Sequence, residues 1–441
     1  MLMWCLLAAG ILFSPAAADN ESRTLSREGY TLEQAVVLSR HNIRSPLSGG
    51  GSVLGTITPH EWFAWSSLPS DLSLRGGILE TEMGGFFRKW LESEGLFPEN
   101  FHPGASEVRI YANSKQRTIA TARYFSAGLL PAANSEVEYH MAFDEMDPVF
   151  TPQLTFVSDA YNAYAEAQIR AMFSDGITGL EDNYELIADV IDMEDSEAWQ
   201  NSSVTAFRTD DTELILKENA EPAVAGSLKT ACSVSDALVL QYYEEPDEEK
   251  AAFGKKLTRR QWEEISEVKD VYVDVLFSAP LIAVNAAHPL LQEIRSEMTA
   301  EGRLFTFLCG HDSNLGSVLA ALGVSEYELP GTIEKKTPIG AKLVFSKWQA
   351  SDGTDYWSAD LVYQTTEQLR EMSLLDLTDP PAVFHVSLNG LEQNPDGLYP
   401  EEDLLERFAQ AVDAYDEIIE AFSGSEVSEP VLSEMLYTAV E

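Results

Sequence analysis

Three short apolar runs, each ending abruptly in charged residues, constrain this chain more than any other feature. The first is Ala35-Val36-Val37-Leu38, which leads into Ser39-Arg40-His41-Asn42-Ile43-Arg44-Ser45-Pro46. The second is Val108-Arg109-Ile110-Tyr111-Ala112, followed by Asn113-Ser114-Lys115-Gln116-Arg117. The third is Leu304-Phe305-Thr306-Phe307-Leu308-Cys309, followed by Gly310-His311-Asp312. A continuous apolar run this short, closed by turn residues, reads as a buried strand. In the second and third segments a helical pattern starts directly after the charged turn. In open α/β sheets, ligands bind beyond the carboxyl ends of the strands. Helix N-termini there present free N–H groups and a positive dipole end, which suit anions.

The rest of the chain fits around these segments. The first strand spans about 34–39, and a long Gly-rich stretch with Trp62 and Trp65 runs over 48–74 as an irregular loop. A loop of that length usually serves or covers a site. Apolar residues at helical spacing predict a helix over 76–95, ending at Gly95. Ser114 is placed as the N-cap of a helix running to about 127. Between 150 and 300 the composition turns to Ala, Glu and Asp. Helical periodicity there covers 159–174, 182–193, 230–244, 259–277 and 281–299. Strand and helix then return at 303–309 and 313–322. An antiparallel pair follows at 341–348 and 355–363, and a last amphipathic helix at 402–422. The expectation is a three-layer α/β/α core with a mostly parallel sheet, built from 19–149 and 300–441. An α-helical cap domain, 150–299, is inserted into it. The chain's 441 residues are ample for such a core.

Charge narrows the possible partners. With 72 acidic and 29 basic residues, the net charge is −43. Nucleic acid and anionic membranes both require a basic face, so neither is a partner. The first eighteen residues are apolar and end in Pro15-Ala16-Ala17-Ala18, as a secretory signal peptide cleaved after Ala18 would. No Lys or Arg precedes the apolar region, and an N-terminal anchor is the alternative. A cleaved signal implies a periplasmic or secreted protein without membrane contact, as monomer or homodimer. Cys5 departs with that segment. Cys232 and Cys309 do not make a disulfide framework, and Cys309 reads as a small buried hydrophobe.

Brought together, the three strand ends supply Arg40, Arg44, Arg117, His41, His311 and Asp312. Three arginines can clamp a tetrahedral oxyanion through forked, charge-assisted hydrogen bonds. A phosphate monoester fits, and so would a sulfate. His41 can attack phosphorus through a neutral ring nitrogen. Asp312 can protonate the departing oxygen if burial or a neighbouring anion keeps it protonated. The arginines would stabilise charge on the transferring group. The chemistry needs no cofactor and no metal, and no histidine pair has metal-ligand spacing.

Arg-His-x-x-Arg-x-Pro near the N-terminus, Ser-x-x-Arg-Thr at 114–118 and His-Asp at 311–312 resemble the histidine acid phosphatases, which include acid phosphatases and phytases. The resemblance covers nearly all of the chain beyond residue 18. It implies an α/β domain with an inserted helical domain and the site between them. It also implies that His41 is the nucleophile that becomes phosphohistidine and that Asp312 is the proton donor. Arg40, Arg44, Arg117 and His311 would bind phosphate. Asn42 stands where most of the family has Gly. Arg-His-Asn is similar to the family's bacterial periplasmic glucose-1-phosphatase subgroup, in which a glutamate of the inserted domain overhangs the pocket. Other stretches agree with that subgroup, among them Gly51-Ser52-Val53-Leu54, Met146-Asp147-Pro148, Leu240-Gln241-Tyr242-Tyr243-Glu244 and Thr337-Pro338-Ile339-Gly340. Glu244 is taken here as the specificity glutamate, with Asn42 as a second specificity residue. A carboxylate at the mouth would disfavour a polyanionic substrate.

The expected function is therefore an acid phosphatase of sugar phosphates. A phytase acting on inositol hexakisphosphate is the first alternative. A phosphoglycerate-mutase-like phosphotransferase is opposed by the leader and the distal His-Asp pair. A non-catalytic binder of phosphosugars is the alternative from another class, although binding alone needs neither a nucleophile nor an acid.

Overall fold

The computed structural model describes residues 24–47, 52–173 and 179–423. The segment read as a signal peptide lies outside the described residues. The first elements are β1 (Tyr30–Arg40), α1 (Leu74–Ser93), β2 (Val108–Ala112) and α2 (Gln116–Leu129). Then come α3 (Asp159–Met172), α4 (Glu181–Val190) and α5 (Glu197–Gln200). A small ribbon of β3 (Glu213–Ile215) and β4 (Ala223–Ala225) leads to α6 (Ser227–Glu244), α7 (Glu248–Ala251), α8 (Arg259–Phe277) and α9 (Pro280–Met298). The chain returns to the sheet with β5 (Phe305–Gly310), α10 (Asp312–Ala321), β6 (Lys342–Ala350) and β7 (Asp355–Tyr363). It ends with α11 (Thr366–Glu371), β8 (Ala382–His385), β9 (Tyr399–Pro400) and α12 (Glu401–Ser423).

The main sheet has the order β2-β5-β1-β6-β7-β8, with β9 against β7. Parallel pairing joins β2, β5 and β1, and the sheet continues antiparallel from β6 onward. Register decides where the charged turns emerge. Arg40 lies opposite Gly310, and Ala112 opposite Cys309. All three strands therefore run out at the same edge.

Side chains alternate between the two faces, as strand geometry requires. Ala35, Val37, Ile110, Phe305, Phe307 and Cys309 pack with α1 and α2 residues such as Phe87 and Phe125. Val36, Leu38, Tyr111 and Leu308 belong to the core on the other face, where α9 and α10 lie against β1 and α12 against β7 and β9. The result is helix, sheet and helix in three layers. The apolar core on the second face continues into α3–α8, which are inserted in the chain between α2 and the sheet's return at β5.

The structure departs from the sequence reading in several places. β1 begins at Tyr30, and a register irregularity between Leu32 and Gln34 breaks the alternation that would have revealed its start. Ser114 does not cap α2. Lys115 stands at that position without a side-chain cap, since an ammonium has no acceptor to offer, and the Ser114 hydroxyl accepts from the Met141 N–H at 3.0 Å. The β3–β4 ribbon and the short strands β8 and β9 carry too few residues to show a period. Cys232 and Cys309 are both free thiols, and Cys309 is fully buried.

Candidate active site

Backbone bonds hold the first strand end in place. Arg40 N–H donates to the Ala341 carbonyl, and His41 N–H to Gly310. Beneath them lies a fully buried ion pair, Glu80 on α1 with Lys342 on β6, at 2.9 Å. The Asn42 amide donates to Glu80 at 2.9 Å, while its carbonyl oxygen accepts from Ile43 N–H at 2.8 Å. Lys342 also donates to the Gly340 carbonyl and the Ser39 hydroxyl. Gly340 has φ +69°, and a Cβ there would stand 2.6 Å from the Asn42 amide nitrogen. Asn42 is thus committed to the floor of the site. A direct contact with a leaving group is not open to a side chain so engaged.

Arg40 is 1 % exposed. It donates to Glu334 at 2.7 Å and to the Thr337 carbonyl, and it approaches Asp312 at 3.5 Å. Burial would push its guanidinium down, but Glu334 and Asp312 hold it firmly protonated.

His41 Nδ1 lies 2.9 Å from the Asn42 carbonyl oxygen. A carbonyl only accepts, so Nδ1 must carry the proton and Nε2 keeps its lone pair. Burial pushes the His41 imidazole well below its usual range, and Arg117, His311, Arg44 and Arg40 push it the same way. The neutral form of the ring is favoured.

The His311 ring meets that of His41 edge-on, with centroids 5.5 Å apart. The Asn113 amide nitrogen is 2.7 Å from His311 Nε2. The orientation of that amide is fixed, because its oxygen already accepts from Asp147 N–H. Asn113 Nδ2 and Arg117 Nη2, the latter 3.4 Å from His311 Nδ1, are both donors, so a neutral His311 ring can accept from only one of them and the shorter contact is the one at Nε2. Burial, and then Arg44, pushes the Arg117 guanidinium down to about 10. Its Nε is buried and has no hydrogen-bond partner among the described residues. A donor left unmatched in a cationic cluster is what an anion would satisfy.

Asp312 opens α10, and its Oδ1 accepts from Ser313 N–H. Burial alone would raise its carboxyl, but Lys269 and Arg40, with the two histidines, pull it well below the usual carboxylate range. Lys269 was not singled out in the sequence. It lies on α8, 3.2 Å from Asp312 and 2.9 Å from Asp236. Asp236 on α6 in turn holds Arg44 at 3.0 Å. Neither residue belongs to a motif, and only the packing of α6 and α8 reveals them.

The six residues expected at the strand ends thus form one cluster. Glu244 does not join it. Its Oε2 accepts from the Ser73 hydroxyl at the start of α1, burial raises its carboxyl, and Arg75 is the charge it feels. The insert glutamate coupled to the cluster is Glu221, exposed just before β4. The protein around it raises its carboxyl, Arg117 and Lys115 draw it down, and Asp312 raises it further. In the long loop, Trp62 donates to the Leu54 carbonyl, and Phe63 N–H donates to Gln241 of α6. The aromatic residues there tie the loop to the insert.

Residues 31–362 match the model of the histidine phosphatase superfamily (branch 2). The chain belongs to that superfamily. It is 35% identical to a glucose-1-phosphatase of Salmonella typhimurium over 403 residues, which are 90% of this chain and 96% of that protein. To a glucose-1-phosphatase of Providencia rettgeri it is 34% identical over 421 residues, covering 94% and 99%. Among solved structures it resembles Hafnia alvei phytase in its apo form, with TM-score 0.79 and 26% identity, covering 88% of this chain and 99% of that one.

Proposed function

We propose that this histidine phosphatase hydrolyses sugar phosphates such as glucose 1-phosphate through a phosphohistidine on His41. The observation that carries the reading is the proton on His41 Nδ1, which leaves a neutral Nε2 nucleophile among three guanidinium groups. Arg40, Arg44, Arg117 and His311 hold the phosphate oxygens. The Nε2 lone pair forms a bond to phosphorus as the bond to the sugar oxygen breaks. Asp312 delivers its proton to that oxygen. A water then attacks phosphorus and gives its proton to Asp312, and the P–N bond breaks to release phosphate and neutral His41.

Lys269 and Arg40 favour the ionised form of Asp312. Arrival of a phosphate anion beside it raises its pKa, and an acidic medium supplies the proton. This is the physical reason for an acidic optimum.

The names of the two relatives at 34–35% identity support a sugar phosphate as substrate, since each is a glucose-1-phosphatase. Glu221, rather than Glu244, is assigned as the carboxylate that disfavours further phosphates on the leaving group. Asn42 acts from below, by fixing the His41 loop. Export to the periplasm or outside the cell belongs to the same reading, supported by the apolar segment 1–18.

Phosphate release at acidic pH, with a chelator present, tests the proposal. Glucose 1-phosphate and inositol hexakisphosphate are compared, with His41→Ala as control. Preferential release from the sugar phosphate, lost by at least about 10³-fold in the variant, is the expected result. Preference for inositol hexakisphosphate, the reading that the likeness to Hafnia alvei phytase favours, would keep the chemistry and remove the assignment of Glu221. Turnover by His41→Ala would overturn the mechanism.

A further inference from the structure

The reaction centre is crossed by an unbroken chain of alternating charges. Arg44 meets Asp236 at 3.0 Å, Asp236 meets Lys269 at 2.9 Å, and Lys269 meets Asp312 at 3.2 Å. Asp312 meets Arg40 at 3.5 Å, and Arg40 meets Glu334 at 2.7 Å. The two central members, Asp236 and Lys269, come from α6 and α8 of the insert. The others come from the α/β lobe. Lys269 is 8 % exposed. Among the described residues its ion-pair partners are these two carboxylates.

We propose that Lys269 and Asp236 are positioning residues that set when Asp312 holds a proton, with Asp236 tempering the charge that Lys269 exerts on it. The inference rests on the reading of Asp312 as proton donor. An ammonium is a compact point charge with three rotatable donors. Placed between two carboxylates it steers Oδ2 of Asp312 and favours its ionised form. That suits the second half of the reaction, when Asp312 must accept a proton from water. During the first half the bound phosphate offsets the ammonium, and Asp312 can carry the proton it delivers.

Other groups also face Asp312 or lie close around it. They are Arg40 at the end of β1 and His41 after it, His311 next to Asp312, Arg117 on α2, Tyr272 on α8, Cys232 on α6 and Glu221 before β4. Of these, Arg40, His41, Arg117 and His311 belong to the phosphate site itself. Lys269 and Asp236 are the charges that can be altered without removing a phosphate ligand.

The test is the pH profile of kcat/KM for glucose 1-phosphate, which reports groups of the free enzyme. The titration of the substrate is common to all variants. Lys269→Met removes the cation, so the alkaline limb moves upward by about one pH unit or more. Asp236→Asn leaves Lys269 acting on Asp312 alone, so the limb moves downward. Lys269→Arg restores the profile of the unaltered protein. Opposite displacements cannot come from general loosening of the site. Should Lys269→Met not fold, Asp236→Asn alone carries the test through its downward shift. Limbs that move together, or do not move, overturn the assignment. His41→Ala run in parallel separates the two levels. If it is inactive while the limbs stay fixed, only the Lys269 assignment falls; if it is active, the reaction it rests on falls too.

Discussion

Two buried ion pairs flank the nucleophile, and they differ in what surrounds them. Glu80–Lys342 on the floor lies wholly within the α/β lobe, and both side chains are fully buried. Its groups are also tied to neutral partners, namely Asn42, Ser39 and the Gly340 carbonyl. Asp236–Lys269 at the mouth spans inward from the insert, and its charges are shared with Arg44 and Asp312. The floor pair fixes where the backbone after β1 lies. The mouth pair bears directly on groups that touch the phosphate. Burial is thus compatible with two different duties, and the partners of a pair tell them apart.

The largest effect that could break this contrast is on stability. Glu80→Ala leaves Lys342 as an uncompensated buried charge and is expected to cost about 3–5 kcal/mol, read as a lower urea midpoint. The gentler Glu80→Gln should lower stability yet leave the alkaline limb of the pH profile in place. A limb displaced as far as in Lys269→Met would erase the distinction between floor and mouth.

On the phosphate side, Arg117→Lys keeps the charge but loses the planar fork. It should raise KM by about 10–100-fold, the range for a charged hydrogen bond worth ~1.5–3 kcal/mol. The acid limb sharpens the picture further. His41 sits below its usual range, and its neutral form is the active one. Activity should therefore persist well below pH 6.5, the ordinary value for a histidine. A loss of kcat/KM centred near that value would mean that His41 is not held neutral. Smallest is Glu221→Gln at the exposed rim, expected to improve inositol hexakisphosphate relative to glucose 1-phosphate by about five-fold, as befits ~1 kcal/mol.

The sequence made the strand-end half of this site legible because its signals are local. Arg40, His41 and Arg44 fall within five positions after an apolar run, and His311 and Asp312 fall directly after another. A sheet whose strands end in register must bring such turns together. The mouth half was not legible. Asp236, Lys269 and Glu221 are lone charged residues, two on amphipathic helices and one beside a short ribbon. In a chain with 72 acidic residues, no single carboxylate stands out. Glu244 drew attention for its neighbourhood in sequence, yet eight positions along α6 separate it from Asp236, two helical turns further from Arg44. In the fold, the strands without a readable period, β3, β4, β8 and β9, are short, and the start of β1 is hidden at Leu32–Gln34, where a shift in register interrupts the period of two.

The hydrogen bond from His41 Nδ1 to its neighbour's carbonyl has a chemical consequence. With one ring nitrogen occupied, a phosphoryl group on His41 can reside only on the other. A trapped intermediate would then be a single regioisomer, the tele form of phosphohistidine. Phosphoramidates of this kind survive alkali and decay in acid. Material quenched in base and probed with reagents that discriminate the two isomers would therefore carry a record of the tautomer.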